Sequence, residues 1–242
     1  MRKKTIKVPL PKGKLTLKKL IYFLVVLFCA WFFTEQQNQT NLPAEQGTIK
    51  VQSVIDGDTL KTPSGESLRL LGIDAPELAK MRNRIVVESG YHYAKEAKKR
   101  LEELALNQTL TTQAEQKIYD TYKRQLVELF DNNQHSINEL LLYEGLVIFY
   151  PFSNLSTEQS SRFLKAQQAA ITAERGLWKK VLSLKQSYQP VIANKRSKRF
   201  FPKNCAGGEK IAPQNRIAFK TAKEALMFGY YPARECEFLP KE

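Results

Sequence analysis

Between Val54 and Glu77 the chain reads VIDGDTLKTPSGESLRLLGIDAPE. Four carboxylates, Asp56, Asp58, Asp74 and Glu77, stand at the two ends of this stretch, with Arg69 between them. Two carboxylates held close together repel unless a cation sits between them, and oxygen donors of this kind suit a hard divalent ion such as Ca²⁺ or Mg²⁺ rather than zinc. A further carboxylate one step outside such a pair is placed to orient or deprotonate a water. An arginine fork matches two oxygens of a phosphate. Cation, base and guanidinium together are what hydrolysis of a phosphodiester requires. Each residue taken singly has a plainer explanation, because Asp-Gly pairs are common in hairpin turns and an Asp-x-Pro-Glu run can cap one. The spacing of the whole set is what points to a site.

The elements around these residues must bring the two ends together. TIKVQSVID, DTLKT and SLRLLGI alternate in the manner of strands, and Pro63–Glu66 carries turn chemistry between the second and third. The three form an antiparallel meander. Asp56 and Asp58 fall where strand one meets strand two, and Asp74 ends strand three. Pairing then predicts Asp58 and Asp74 within a few ångströms of each other. Downstream, ESGYHYAKEAKKRLEELAL has helical spacing, with Tyr93, Ala97, Leu101 and Leu104 on one side. QTLTTQAEQ reads as a strand. RQLVELFDNNQHSINELLL reads as a strand, a turn, and a short strand running into a helix. LVIFY is a further short strand, and Ser156 to Gln159 form a capping box that opens a helix. Five short strands and about three helices predict an α+β fold built on a small barrel.

The flanks differ from this central part. The net charge is +14, which asks for an anionic partner, either nucleic acid or a membrane surface. The charge is unevenly placed. Residues 1–34 hold eight Lys or Arg and no acid, residues 181–242 hold 12 basic against five acidic residues, and the middle is close to neutral. Leu20 to Phe33 is an uncharged apolar run behind the basic tail. It reads as a membrane anchor or the apolar part of a signal peptide, and either places the basic tail in the cytoplasm and the remainder outside it. The expected organisation is a basic tail with signal-anchor or signal peptide (1–34), a linker (35–47), a central domain (48–180), a basic linker (181–203) and a small accessory module (204–242). In that module RIAFKTAKEALMFGYYP reads as a strand, a helix capped at Thr221 and a stop at Gly229.

VIDGDTLKTPSGESLRLLGIDAPE resembles the signature of the staphylococcal nuclease-like (thermonuclease) family. YDTYKRQLVELF, INELLLYEGLVIFY and AAITAERGLW are similar to its later segments, so that the resemblance covers roughly residues 48–180. The resemblance implies a five-stranded OB-fold barrel and cleavage of DNA and RNA with Ca²⁺ as cofactor. It further implies that Asp58, Asp74 and the backbone carbonyl of Ala75 ligate Ca²⁺, with Asp56 supporting them from behind or through water. Glu77 would orient or deprotonate the attacking water. Arg69 and Arg124 would hold the phosphate and stabilise its developing charge. Asp120 would support the neighbouring loop, Tyr122 would line the nucleotide pocket, and Lys123 could add a phosphate contact. Two departures stand out. Lys123 occupies a position where the family often has Gly, and LAKMRNRIVVESGYHY after Glu77 reads as an insertion.

The remaining reactive residues form no competing set. His92 and His135 are the only histidines and read as surface residues, which leaves no Ser-His-Asp or Cys-His arrangement. The chain has three cysteines. Cys29 lies in the apolar run. The C-terminal segment weakly resembles a small zinc-binding module, but the expected Pro-Cys-x-x-Cys reads Pro232-Ala233-Arg234-Glu235-Cys236 here, which removes one ligand. Cys205 and Cys236 are therefore a candidate disulfide, with free thiols and a metal as the alternatives. The expected partners are DNA, with RNA a second candidate substrate, and a membrane through the N-terminal helix; no protein partner is expected. The rival to a membrane-anchored or exported nuclease is a non-catalytic, membrane-tethered OB domain that binds nucleic acid. The presence of Glu77, Arg69 and Arg124 argues against it.

Overall fold

The computed structural model describes residues 45–83, 85–114, 118–151 and 155–242. The expected N-terminal helix and most of the first linker lie outside these. Among the described residues, no helix is long and apolar enough to cross a membrane.

Strand β1 (Glu45–Ile49) is followed by β2 (Ser53–Val54), β3 (Thr59–Lys61) and β4 (Ser67–Leu70). β2, β3 and β4 pair antiparallel, with Thr59 opposite Arg69 and Leu60 opposite Leu68. This is the expected meander. Leu60, Leu68 and Leu70 are buried in one core with Leu101, Leu110, Val127 and Phe163. Gly72, at φ +74°, turns the chain into β5 (Ile73–Asp74), a turn whose handedness a side chain would strain.

Residues read as an insertion form a hairpin, β6 (Lys80–Arg82) with β7 (Ile85–Glu88). It turns Met81, Ile85, Val86 and Val87 to the outside. Helix α1 (Ala94–Ala105) buries Ala94, Ala97, Leu101 and Ala105, the spacing of one helical face. Then come β8 (Leu110–Ala114), β9 (Ile118–Tyr119), β10 (Gln125–Val127) and β11 (Leu129–Phe130). Helix α2 (Ile137–Tyr143), β12 (Ile148–Phe149), α3 (Thr157–Thr172) and α4 (Leu177–Ser183) follow. The expected capping box of Ser156 and Gln159 opens α3.

The sheets are ordered β2-β3-β4-β10-β9 and β1-β8-β11, with β4 and β10 parallel. The fold is α+β as expected, but among the described residues no single ladder closes these sheets into a ring, so in place of the expected five-stranded barrel two sheets enclose one core. The physical reason is bending. β10 and β11 are parted only by Glu128, and β1 and β2 only by residues 50–52, so both of these paths leave one sheet and enter the other.

The segment expected as a basic linker, 181–203, is folded. It completes α4, makes a 3-10 turn (Lys185–Tyr188), and forms β13 (Val191–Asn194) and β14 (Arg199–Pro202). Its charge hid its apolar anchors: Val191, Ala193 and Phe200 are buried while Lys185, Lys195, Arg196, Lys198 and Lys203 are exposed. The C-terminal part continues with α5 (Ala206–Glu209), a second 3-10 turn (Pro213–Asn215), β15 (Arg216–Phe219), α6 (Ala222–Met227) and β16 (Tyr231–Pro232). Its sheet runs β15-β13-β14-β16. Only a small cluster of Phe201, Ile211, Ala233 and Cys236 belongs to this module alone, and its larger core is shared. Phe200, Leu226 and Phe238 share one cluster with Ile171 and Trp178 of the helices. Buried Gln167 of α3 donates to the Leu226 carbonyl at 3.0 Å and accepts from the Phe149 amide at 2.7 Å, which joins the two halves.

Candidate active site

The meander fixes Asp58. The Leu70 amide donates to the Asp58 carbonyl at 2.8 Å. Gly57 packs so tightly that a Cβ there would stand 2.7 Å from the Cβ atoms of Ala75 and Ala97. A larger residue would push the loop off α1, so the Asp-Gly-Asp spelling reflects close approach more than turn chemistry. Asp56 Oδ1 accepts from the Asp58 amide at 3.0 Å and holds that loop from behind.

Asp58 is 5% exposed. Its Oδ2 accepts from the Ala75 amide at 2.6 Å and pairs with Arg69 Nη1 at 2.7 Å, and its Oδ1 accepts from the Thr59 hydroxyl at 3.0 Å. Arg69 Nη2 donates to Asp74 Oδ1 at 2.8 Å. The two ends of the opening stretch therefore do meet, and one guanidinium bridges them. Arg69 Nη1 makes this ion pair without an aligned hydrogen bond, an imperfect fit for so buried a donor. Burial pushes the Asp58 carboxyl up to about 8. The charges of Asp56 and Asp74 add to that, while Arg69 and the Ala75 amide oppose it.

Arg124 enters from the strand beside β4. The turn before it is built by Asp120, whose Oδ1 accepts from the Tyr122 and Arg124 amides at 2.9 Å each. Asp120 Oδ2 accepts from Arg124 Nε at 2.7 Å. Lys123 sits at φ +63°, which explains why a glycine suits this position. The two amide bonds to Asp120 hold the turn despite that conformation. Arg124 Nη1 donates to Thr59 Oγ1 at 3.2 Å, so Arg124, Thr59 and Asp58 form one chain of contacts.

Asp58, Arg69, Asp74 and Arg124 line an open pocket of about 400 Å³ together with Glu77, Pro76, Tyr122 and Arg234. Glu77 is exposed at its rim. Tyr122 is 81% exposed, with the Arg124 guanidinium 5.5 Å from its ring centre. The structure thus gathers Asp56, Asp58, Arg69, Asp74, Ala75, Glu77, Tyr122 and Arg124 at one place. Lys123 lines neither this pocket nor the neighbouring one. His92 and His135 lie elsewhere, and His135 pairs with Asp131 in an exposed turn. Cys205 and Cys236 are joined as a disulfide.

Whether the donors fit a divalent cation can be tested on their chemistry. Among the described residues no three Asp, Glu, His or Cys side chains form a ready-made cage. Asp58 and Asp74 nonetheless offer hard oxygens on one pocket, and burial resists the charged form of Asp58. A cation would relieve that resistance, so the donor set fits a hard ion completed by water and backbone carbonyl.

Sequence reasoning missed Arg234. Its Nη2 donates to the same Asp74 Oδ1 at 2.7 Å, reaching across 160 positions of chain. No local pattern marks it, because only the packing of the C-terminal module brings it to Asp74.

Comparison with known proteins bears on this pocket. The family profile described as staphylococcal nuclease homologue matches residues 67–180. Endonuclease YhcR of Bacillus subtilis is 25% identical over 212 residues, 80% of this chain. The chain spans only 17% of the length of that relative. An uncharacterized protein of Methanocaldococcus jannaschii, MJ1439, is 32% identical over 150 residues, 53% of this chain and 70% of that protein. The profile begins at β4, so Asp56 and Asp58 lie upstream of it and reach the pocket through strand pairing.

Proposed function

The chain belongs to the staphylococcal nuclease family, and from that premise we propose that it is a Ca²⁺-dependent nuclease hydrolysing phosphodiester bonds of DNA, with RNA as a second substrate. The observation that carries this reading is the convergence of Arg69, Arg124 and an exposed Glu77 on one carboxylate-lined pocket. Asp58, Asp74 and the carbonyl of Ala75 would hold the ion, with Asp56 behind them. Bound there, calcium would supply positive charge against a phosphate oxygen. The two bent strand paths that join the sheets support reading the fold as an OB barrel.

The chain's own residues account for the remaining chemistry. Glu77 stands at the rim, where its carboxylate can take a proton from an incoming water. Arg69 lies on the pocket floor, fixed by two carboxylates, and can give hydrogen bonds to a phosphate without large reorganisation. Arg124 faces it, oriented by Asp120, and offers its fork to charge that develops on the phosphate. Tyr122 presents an exposed ring on which a base can stack.

The eight basic residues and apolar run of the N-terminus support a membrane-anchored or exported protein with this domain outside the cytoplasm. The Cys205–Cys236 disulfide supports an oxidising compartment. Sequencing the mature N-terminus separates an anchor from a cleaved signal.

The test of activity is digestion of single-stranded DNA and RNA with Ca²⁺ and with EDTA. Cutting should require the ion. Glu77→Gln should bind DNA as the wild type does and lose activity about a hundredfold or more. Nucleic acid bound but never cut, with or without Ca²⁺, would sink the enzyme reading in favour of a binding domain.

A further inference from the structure

We propose that the C-terminal module completes the substrate site, with Arg234 binding the phosphate next to the scissile one. The proposal rests on the nuclease reading above. The module lies outside the matched family region, which ends at residue 180, so family membership does not assign this role.

Charge is the first argument. Asp56, Asp58, Asp74 and Glu77 place four carboxylates around the pocket, against guanidiniums from Arg69, Arg124 and Arg234. Counted as ionised, the pocket carries −1, and a divalent cation brings it to +1. Without Arg234 the loaded pocket would be neutral. A polynucleotide carries one negative charge per phosphate, so the arginine decides whether the loaded site attracts the strand beyond the bond being cut.

Donor geometry is the second. Asp74 Oδ1 already accepts from Arg69 at 2.8 Å, and the second arginine on the same oxygen uses one of its five N–H donors there. The Arg234 side chain is 59% exposed. Its remaining fork is turned to solvent at the mouth of the pocket, available to a bidentate phosphate contact.

Rigidity is the third. The backbone beside Arg234 is pinned on both sides. Strand β16 pairs with β14, the Ala233 amide donates to the Phe200 carbonyl at 2.9 Å, and Cys236 is tied to Cys205. A guanidinium on so fixed a stem loses less freedom when it binds.

Room is the fourth. Beyond Arg234 lies a second, more apolar pocket of about 330 Å³, walled by Pro76, Leu78 and Tyr91 on one side and Ala233 and Leu239 on the other. Glu77 and Arg234 line both pockets. A strand with its scissile phosphate near Glu77 can place the next phosphate on Arg234 and the flanking base in this space.

The test uses the full chain in detergent. Binding of a fluorescein-labelled 12-nucleotide single strand is followed by anisotropy in EDTA across a salt series. Cleavage of the 12-mer and of a dinucleotide, which holds only the scissile phosphate, is then followed with Ca²⁺. Arg234→Gln should weaken 12-mer binding about tenfold and lower the salt slope by about one. Its KM should rise several-fold more for the 12-mer than for the dinucleotide, with kcat for the 12-mer within about twofold. Arg234→Lys, which keeps the charge without the fork, should recover part of the binding. Unchanged 12-mer affinity and slope in Arg234→Gln would overturn the proposal. So would an equal loss on 12-mer and dinucleotide, which would mark a structural tie to Asp74. A wild type that binds without cutting ends the nuclease reading yet leaves the Arg234 comparison intact. A wild type that does not bind even at low salt ends both.

Discussion

Asn138 holds the strands that carry the site, and removing it should damage both stability and activity. It is fully buried. Its Oδ1 accepts from the Leu129 amide at 3.1 Å, and its Nδ2 donates to the carbonyls of Leu71 at 2.9 Å and Val127 at 3.1 Å. Val127 keeps a second partner, because the Leu71 amide also donates to its carbonyl at 2.8 Å. Replacing Asn138 by leucine, of similar volume, fills the space but orphans the Leu129 amide and the Leu71 carbonyl. At ~1–3 kcal/mol for each buried unsatisfied group, the loss sums to about 4 kcal/mol. Urea unfolding at a slope near ~3 kcal/mol per molar should then show the midpoint fall by roughly 1.3 M. Leu71 leads through Gly72 to Asp74, and Val127 lies three residues beyond Arg124. Cleavage should therefore fall by more than the unfolded fraction explains. A leucine variant within about 1 kcal/mol of wild type would refute the reasoning, since it would mean that water or a backbone shift satisfies those groups at little cost.

Two further outcomes are expected. Burial holds the Asp58 carboxyl at about 8 without a cation, so at pH 7 it is largely protonated and an incoming ion must displace that proton. Calcium titration in weak buffer at pH 7 should release close to one proton per site, with affinity rising up to about tenfold per pH unit as pH approaches 8 and levelling above it. Affinity that is flat over that range would remove Asp58 from the ligand set or the burial argument from Asp58. The Cys205–Cys236 bond joins residues 31 positions apart and should contribute on the order of 3–4 kcal/mol. Cys205→Ser with Cys236→Ser should lower the thermal midpoint and shift electrophoretic mobility as reductant does. Equal mobility of wild type with and without reductant would rule the bond out.

Much of the central site was legible because its residues are local or follow a fixed pairing rule. Asp56, Asp58, Arg69, Asp74 and Glu77 all lie within two dozen residues, and an antiparallel meander with a turn at Pro63–Glu66 has few ways to fold. Helix α1 could be read from the spacing of Ala97, Leu101 and their neighbours, and α3 from its capping box. The bends were harder. Nothing in RQLVELF says that Glu128 parts two sheets, because its role depends on distant residues: its carboxylate, almost fully buried, accepts from Arg162 at 2.9 Å and from Gln159 at 2.7 Å.

The basic stretch 181–203 was misread for a more general reason. Composition averages over faces, and a hairpin that buries Val191, Ala193 and Phe200 while its turn exposes Lys195, Arg196 and Lys198 has the same composition as a solvated linker. That error also concealed the site's third arginine. A module on a loose tether carries its charges at random distances, whereas one that shares Phe200, Leu226 and Phe238 with Ile171 and Trp178 fixes them to within side-chain reach. Arg234 can therefore touch Asp74 only because the apolar residues that seat the module on the helices hold its backbone there. Changes in that shared cluster, such as Phe238→Ala, should reach the pocket through Arg234 while leaving the contacts among Asp58, Arg69 and Thr59 in place.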